Sequence, residues 1–367
     1  MRAPRARSAG YAGSRADALQ TAAKLILEPI FETDFLDCSY GFRPGRSATQ
    51  ALEALRVRGS GGKGNHVFDA DNRDFFGSLD RELLMKRVML RVSDRRVLAL
   101  IQRWLDAGVM DEGRENKMLS GTPQGGVISP LLSNIYLAFL DERWQRQCSA
   151  IGTLVRYADD FVVMCNTKND VEEAERRVKL IFERLKLELH PDKTRTLELS
   201  GDKQGFDFLG CHLRKCMSGK IWEKDRKRVY FLQRWPSTKS MKRVRARVKE
   251  LTPRAACHRD LRETIAKINP VIRGWGSYFA TGNAAGKFTV VDSYVRNALT
   301  AAQLDVLQVT AKCPMPKNPT VREAMLAIDG LGNHLPRNGD PGWLVLGRGM
   351  HDLLILELRF AAGRAKM

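Results

Sequence analysis

The sequence predicts an α+β chain, with short strands and helices interleaved through residues 1–215 and helices beyond. Three observations carry this. NHVFDAD (65–71) and LVRYADDFVVM (154–164) are apolar runs of strand length, the second broken by a tight turn. Residues 169–187 place Val171, Ala174, Val178, Ile181 and Leu185 at helical spacing. Residues 240–251 alternate apolar Met241, Val244, Val248 and Leu251 with Lys242, Arg243, Arg245, Arg247 and Lys249, an amphipathic basic helix.

The remaining elements follow in order. DALQTAAKLILEPIF (17–31) has helical apolar spacing and is expected to stop at Pro29. FLDCSYGFRPGRS (35–47) is turn-rich, 48–58 reads as helix, and GSGGKG (59–64) is a loop. A helical stretch is expected near 80–107. SGTPQGGVISP (120–130) is a Gly/Pro-punctuated loop opening a helix at 129–147. Asn169 and Glu172 resemble a capping box for the helix at 169–187. HPDKT (190–194) is a turn and FDFLGCHL (206–213) a strand. A domain boundary falls between 215 and 237, and CPMPKNP (313–319) reads as an extended linker.

Composition narrows the function. The 367 residues are 43% hydrophobic, and no apolar run reaches the roughly 18–20 residues of a membrane span. The basic N-terminus lacks the apolar stretch of a secretory signal. With 61 Lys and Arg against 42 Asp and Glu, the net charge is +19. Such a chain meets polyanions favourably, nucleic acid above all; a ribosome-associated or generally adhesive basic protein would share this charge. Seven Cys, an odd number without a C-x-x-C pair, point to reduced thiols in a cytoplasm. Cys211, His212 and Cys216 lie close together, but no second ligand pair has zinc-like spacing, so no zinc site is expected.

The chemistry concentrates in four segments. Asp159 and Asp160 are adjacent carboxylates at a hairpin tip, the hard oxygen donors that magnesium prefers. A bare Asp-Asp pair would more often be a solvated turn. Asp69 and Asp71 lie on one face of a strand by its period-two alternation, and either fits beside that pair. Two metal ions on such carboxylates suit nucleotidyl transfer, where the protein mostly positions and neutralises. In GTPQGG (121–126), Gln124 offers a donor and an acceptor between glycines that permit close approach; in HPDKT, Lys193 can meet a triphosphate. Alone, each of these two reads equally as a plain loop.

Together and in this order the segments resemble a group II intron reverse transcriptase. SYGFRPGRS, GTPQGGVISPLLSNIYL, RYADDFVV, HPDKT and FDFLG carry the likeness, dense over residues 19–215. It implies a right-hand polymerase fold with an antiparallel palm sheet: partial fingers at 1–65, a palm with inserted finger elements at 66–215, and a helical thumb and maturase-specific domain at 216–299. It selects Asp71 over Asp69, because the family's metal-binding Asp precedes two Phe by four and five positions, here Phe75 and Phe76. The implied metal ligands are Asp71, Asp159 and Asp160, holding two Mg2+ ions. Phe76 would be the steric gate against a ribose 2′-hydroxyl, Gln124 would line the nucleotide pocket and Lys193 would approach the triphosphate. The implied partners are an RNA template with a DNA primer, deoxynucleoside triphosphates and intron RNA.

IAKINPVIRGWGSYFATGNAAGKFTVVDSYVRNAL (265–299) is similar to the maturase-specific region of the same family. Trp275 and Phe279, four apart, are expected in a helical core, and the basic face Lys242, Arg243, Arg245, Arg247 and Lys249 on RNA.

The chain also departs from the family pattern. Only MRAPRARSAGYAGSRA precedes DALQ, where the family carries an extension and a fingertip segment, so incomplete fingers are expected. Asn72 and Gly77 replace an apolar residue and a second Asp, and Asp74 adds negative charge. No HNH endonuclease pattern follows residue 299, so target-DNA cleavage is not expected. Residues 319–358 resemble the end of insertion-sequence transposases without their catalytic carboxylates, which reads as a chimeric frame with a tail at 300–367. Two further readings share these motifs: an RNA-binding maturase without polymerase activity, and an inactive product of a decayed mobile element.

Overall fold

A computed structural model describes residues 9–60, 64–73, 75–107, 126–199, 204–225, 227–253 and 261–311. Helix α1 (Ala9–Glu32) runs through Pro29 instead of stopping there. Pro29 removes a backbone donor and crowds the carbonyl four residues back. Leu27 and Phe31, both buried in the main core, hold the two sides of that break in line. Ser47 and Gln50 close a reciprocal capping box on α2 (Ala48–Arg58).

Strands β1 (His66–Ala70), β2 (Gly152–Tyr157), β3 (Asp160–Cys165) and β4 (Arg195–Glu198) form an antiparallel sheet in the order β2-β3-β1-β4. The sequence does not announce β4: its RTLE segment is largely exposed, and it is a strand because its backbone completes the ladder on β1.

Between β1 and β2 come α3 (Phe75–Ser78), α4 (Arg81–Met89), α5 (Arg95–Asp106) and α6 (Ser129–Gln147). The single helix expected near 80–107 is thus two, because Asp80 and Asp94 each accept from the amides of a new first turn. Helix α7 (Lys168–Arg184) follows β3, and its capping box is Thr167 with Asp170, not Asn169 with Glu172. Thr167 is extended and its hydroxyl accepts from the Asp170 amide, while the Asp170 carboxylate accepts from the Thr167 amide. Phe68, Phe161 and Phe182 join β1, β3 and α7 in one core, with ring centroids 6.5 and 5.7 Å apart. Each such buried ring contributes roughly 1.5–3 kcal/mol.

FDFLGCHL is not one strand. It splits into β5 (Gly205–Phe208) and β6 (Cys211–Met217) at Leu209 and Gly210, both with positive φ. Helix α8 (Gly219–Asp225) leads to β7 (Tyr230–Pro236), and the second sheet runs β5-β6-β7.

The chain divides into two units, residues 1–209 with 213–233, and residues 210–212 with 234–367. In the second, α9 (Thr238–Leu251), α10 (Leu261–Phe279) and α11 (Ala285–Ala311) enclose Met241, Val244, Val248, Ile268, Ile272, Val291 and Val295. Trp275 packs on Phe279 and Phe288 at 5.1 and 5.4 Å, the core role its spacing implies. Among the described residues no helix is long and apolar enough to cross a membrane.

Candidate active site

The hairpin bearing the Asp pair is a two-residue turn: Tyr157 pairs with Asp160, and Ala158 and Asp159 form the tip. Ala158 sits in the left-handed region at φ 57, which costs an L-residue roughly 1–2 kcal/mol. The turn-rich segment before α2 braces it. Tyr40 N–H donates to the Arg156 carbonyl at 2.9 Å, and Arg156 N–H to the Cys38 carbonyl at 2.8 Å. Gly41 lies so close that a Cβ there would stand 2.3 Å from the Ala158 nitrogen. Asn134 Nδ2 on α6 donates to the Gly41 carbonyl at 2.8 Å. Beneath the tip, the fully buried Arg156 donates to Asp141 Oδ1 and Oδ2 at 2.9 and 2.5 Å, to Asn134 Oδ1 at 3.1 Å and to the Ala158 carbonyl at 2.8 Å.

Because the Gly41 contact is backbone on backbone, no rotamer change relieves it. Gly41→Ala is expected to displace the hairpin tip and lower stability by about 1–3 kcal/mol. Denaturant titration checks this.

On the neighbouring strand, Asp69 and Asp71 face one cleft, as their alternation implies. His190 N–H donates to the Asp71 carbonyl and Arg73 N–H to the Glu188 carbonyl, both at 2.9 Å, tying the HPDKT turn to the end of β1. Lys193 Nζ then lies 2.8 Å from Asp71 Oδ2, and Arg195 Nε 3.1 Å from Asp69 Oδ2. Asn72 is buried, a costly place for an amide without partners. Its Nδ2 donates to the Asp159 carbonyl at 2.9 Å, stapling the first strand to the hairpin tip, while its Oδ1 has no partner among the described residues.

The cleft, of about 350 Å³, is lined by Asp69, Asp71, Asp160, Asp192 and Asp207 against Lys193 and Arg195. In a chain of net charge +19, this recess is acidic. Burial, then the carboxylates of Asp159, Asp71 and Asp69, pushes the Asp160 carboxyl up to about 6. Burial likewise raises Asp159, with Asp71 adding to it and Arg156 and Lys193 opposing. Burial raises Asp69 too, opposed by Arg195. Crowded carboxylates of this kind are a donor set for a hard divalent cation, so the residues fit such an ion. Among the described residues no three acidic, His or Cys side chains already converge on one point, and Lys193 and Arg195 pair with Asp71 and Asp69.

A pH dependence follows. The folded value of Asp160 lies above its unfolded 3.8, so without metal the protonated form favours folding. That contribution is full below 3.8 and lost as pH rises through about 6. Asp160 faces its carboxylate neighbours on one side and keeps another open to solvent at the turn, so solvent screens part of this contribution. At neutral pH, Asp160→Asn is expected to raise the metal-free Tm by roughly 2–4 °C and to shrink the rise that MgCl2 brings. The wild-type rise should itself fade as the pH is lowered through about 6. Thermal melts with and without MgCl2 read all three.

Of the residues singled out in the sequence, Asp71, Asp159, Asp160 and Lys193 come together. Gln124, Asp74, the Phe76 side chain and the tail beyond 311 lie outside the described residues. On α9, Lys242, Arg243, Arg247 and Lys249 are exposed. Arg245 is half-buried, its guanidinium 5.8 Å from the Tyr294 ring centre, and Arg247 pairs with Glu250. Sequence reasoning missed Arg156, Asn134, Asp141, Gly41, Arg195 and Asp207. The GFRP run and the Arg before Tyr157 were the only signals, and neither names its distant partner.

Residues 9–213, more than half of the chain, match the family of reverse transcriptases (RNA-dependent DNA polymerases). The chain belongs to the reverse transcriptase family. Residues 241–305 match the maturase-specific domain of group II introns. Among curated relatives, Protein YkfC of Escherichia coli is 35% identical over 242 residues, 56% of this chain and 63% of that protein. The group II intron-encoded protein LtrA of Lactococcus lactis is 30% identical over 265 residues, 55% of this chain and 43% of that protein. A 91 kDa protein in the cob intron of Schizosaccharomyces pombe is 37% identical over 131 residues, 35% of this chain and 16% of that protein. The chain thus spans less than two thirds of the length of each of these relatives. Reverse transcriptases as a family use divalent metal ions. The acidic cleft of this family member is suited to them.

Proposed function

We propose that this chain is an RNA-directed DNA polymerase of the group II intron class that also binds intron RNA and assists its splicing. One observation carries the polymerase reading: Asp71 and Asp160 line one cleft with Lys193 where the end of β1 meets the β2–β3 hairpin, and Asp159, beside Asp160, lies close enough for Asp71 and Lys193 to act on its charge. In this reading the four-stranded sheet is the palm. The three Asp would hold two Mg2+ ions, which when bound neutralise the triphosphate and ease deprotonation of the primer 3′-hydroxyl.

The chain's own residues do the positioning. Arg156 and Asn134 hold the hairpin from below, the Gly41 segment holds it from the side, and Asn72 ties it to β1. The Lys193 ammonium, its charge favoured by Asp71, lies where it can pass from that carboxylate to a triphosphate. The exposed cations of α9 suit the phosphates of intron RNA, and such binding weakens steeply with salt.

Incorporation of dTTP on poly(rA)/oligo(dT) with MgCl2 tests the reading, with filter binding of a group II intron RNA run in parallel. Extension together with RNA retention is expected. RNA retention without any extension would overturn the polymerase activity and leave an RNA-binding maturase.

A further inference from the structure

Phe42 stands 53% exposed with its backbone in the left-handed region at φ 56. Bulky L-residues rarely adopt this conformation, whereas glycine adopts it freely. Such strain persists only where the surroundings over-determine it, and it clusters at sites that touch ligands. The surroundings here do so. Before Phe42, the Gly41 carbonyl is held by Asn134. After it, the buried Arg43 donates to the Leu36 and Ser39 carbonyls at 2.6 and 2.7 Å and to the Glu32 carboxylate at 2.7 Å. The fold therefore fastens both sides of this residue and turns its ring to water, where it adds little to the core. Its neighbour is Tyr157, with ring centroids 6.4 Å apart and planes tilted by 42°. Tyr157 closes the turn that carries Asp159 and Asp160.

We propose that Phe42 and Tyr157 form a stacking ledge for an unpaired template nucleotide at the end of the primer–template hybrid, seated beside the acidic turn. The proposal rests on the polymerase reading, since it is that reading which brings a hybrid to this hairpin. Aromatic faces stack on any base, which suits an enzyme that must accept every sequence. A pair of rings beside an acidic turn is too small an apolar area to anchor a protein partner.

Phe42→Gly removes the ring and the backbone strain together, so it separates contact from folding. A fluorescent RNA–DNA hybrid with an unpaired template overhang is titrated in the absence of metal and nucleotide, and Tm is measured on the same samples. Expected are a dissociation constant at least about five-fold weaker for Phe42→Gly, near-complete rescue by Phe42→Trp, and a Tm for the glycine variant equal to or above wild type. Binding of the hybrid by Phe42→Gly within about two-fold of wild type would overturn the ledge, as would a fall in Tm that Phe42→Trp does not restore. Wild-type protein that binds the hybrid but never extends it fails the polymerase reading alone. Wild-type extension with hybrid affinity indifferent to Phe42 fails the ledge alone, and absence of hybrid binding fails both.

Discussion

Asp159→Ala is expected to reduce primer extension by at least about 10²–10³-fold, the effect of removing one electrostatic group from a reaction whose catalysis is mostly charge stabilisation. RNA retention should survive, because the exposed cations of α9 belong to the other unit. The fold should survive as well. Burial and the Asp71 carboxylate both disfavour charge on Asp159, so its removal relieves that cost and should not lower Tm. Asp71→Asn should match Asp159→Ala in depth. Asp69→Asn should cost far less, since Asp69 stands further back along β1, within its ladder to β4. Steady-state extension with the three variants decides the matter. Extension by Asp159→Ala within ten-fold of wild type, or a larger loss at Asp69 than at Asp71, would overturn the assignment.

The second large effect concerns stability. Arg156 and Asp141 are a salt bridge with side chains 0% and 1% exposed, and Arg156 also holds the Ala158 carbonyl. Asp141→Ala strands a guanidinium in the core, and a loss of about 3–5 kcal/mol is expected, a large share of the stability of a domain. Replacing both partners, Arg156→Met with Asp141→Leu, removes the stranded charge and should recover much of that loss. Recovered stability should not restore extension, because the tip would lose its hold on Ala158. Denaturant midpoints for the two singles and the double form the cycle. A loss below 1 kcal/mol at Asp141→Ala would show that the pair does not brace the hairpin.

Much of the fold was legible because it is written locally. The helical spacing of Val171, Ala174 and Val178, the helix after the turn-rich segment at 35–47 and the paired strands about Ala158 are short-range patterns, and each formed. Local reading failed where a longer-range influence competed. Pro29 does not end α1, because Leu27 and Phe31 are held in the core on either side of it. RTLE is a strand only because β1 lies beside it. Leu209 and Gly210 break an apparent strand, since two successive left-handed residues turn the chain.

The site divides along the same line. The sequence by itself marked the candidate side chains, an Asp pair at a hairpin tip, an acidic strand face and a Lys on a turn, and the family resemblance selected among them. Only the tertiary structure decided how they are held. Asn72 donates to a carbonyl 87 residues away, Asn134 to one 93 residues away, and Arg195 pairs with a carboxylate 126 residues away. Residue type and neighbouring spacing cannot encode such pairings. They depend on the packing of α6 and the sheet around one core, which brings chemically ordinary Asn, Gly and Arg residues into contact with the acidic turn.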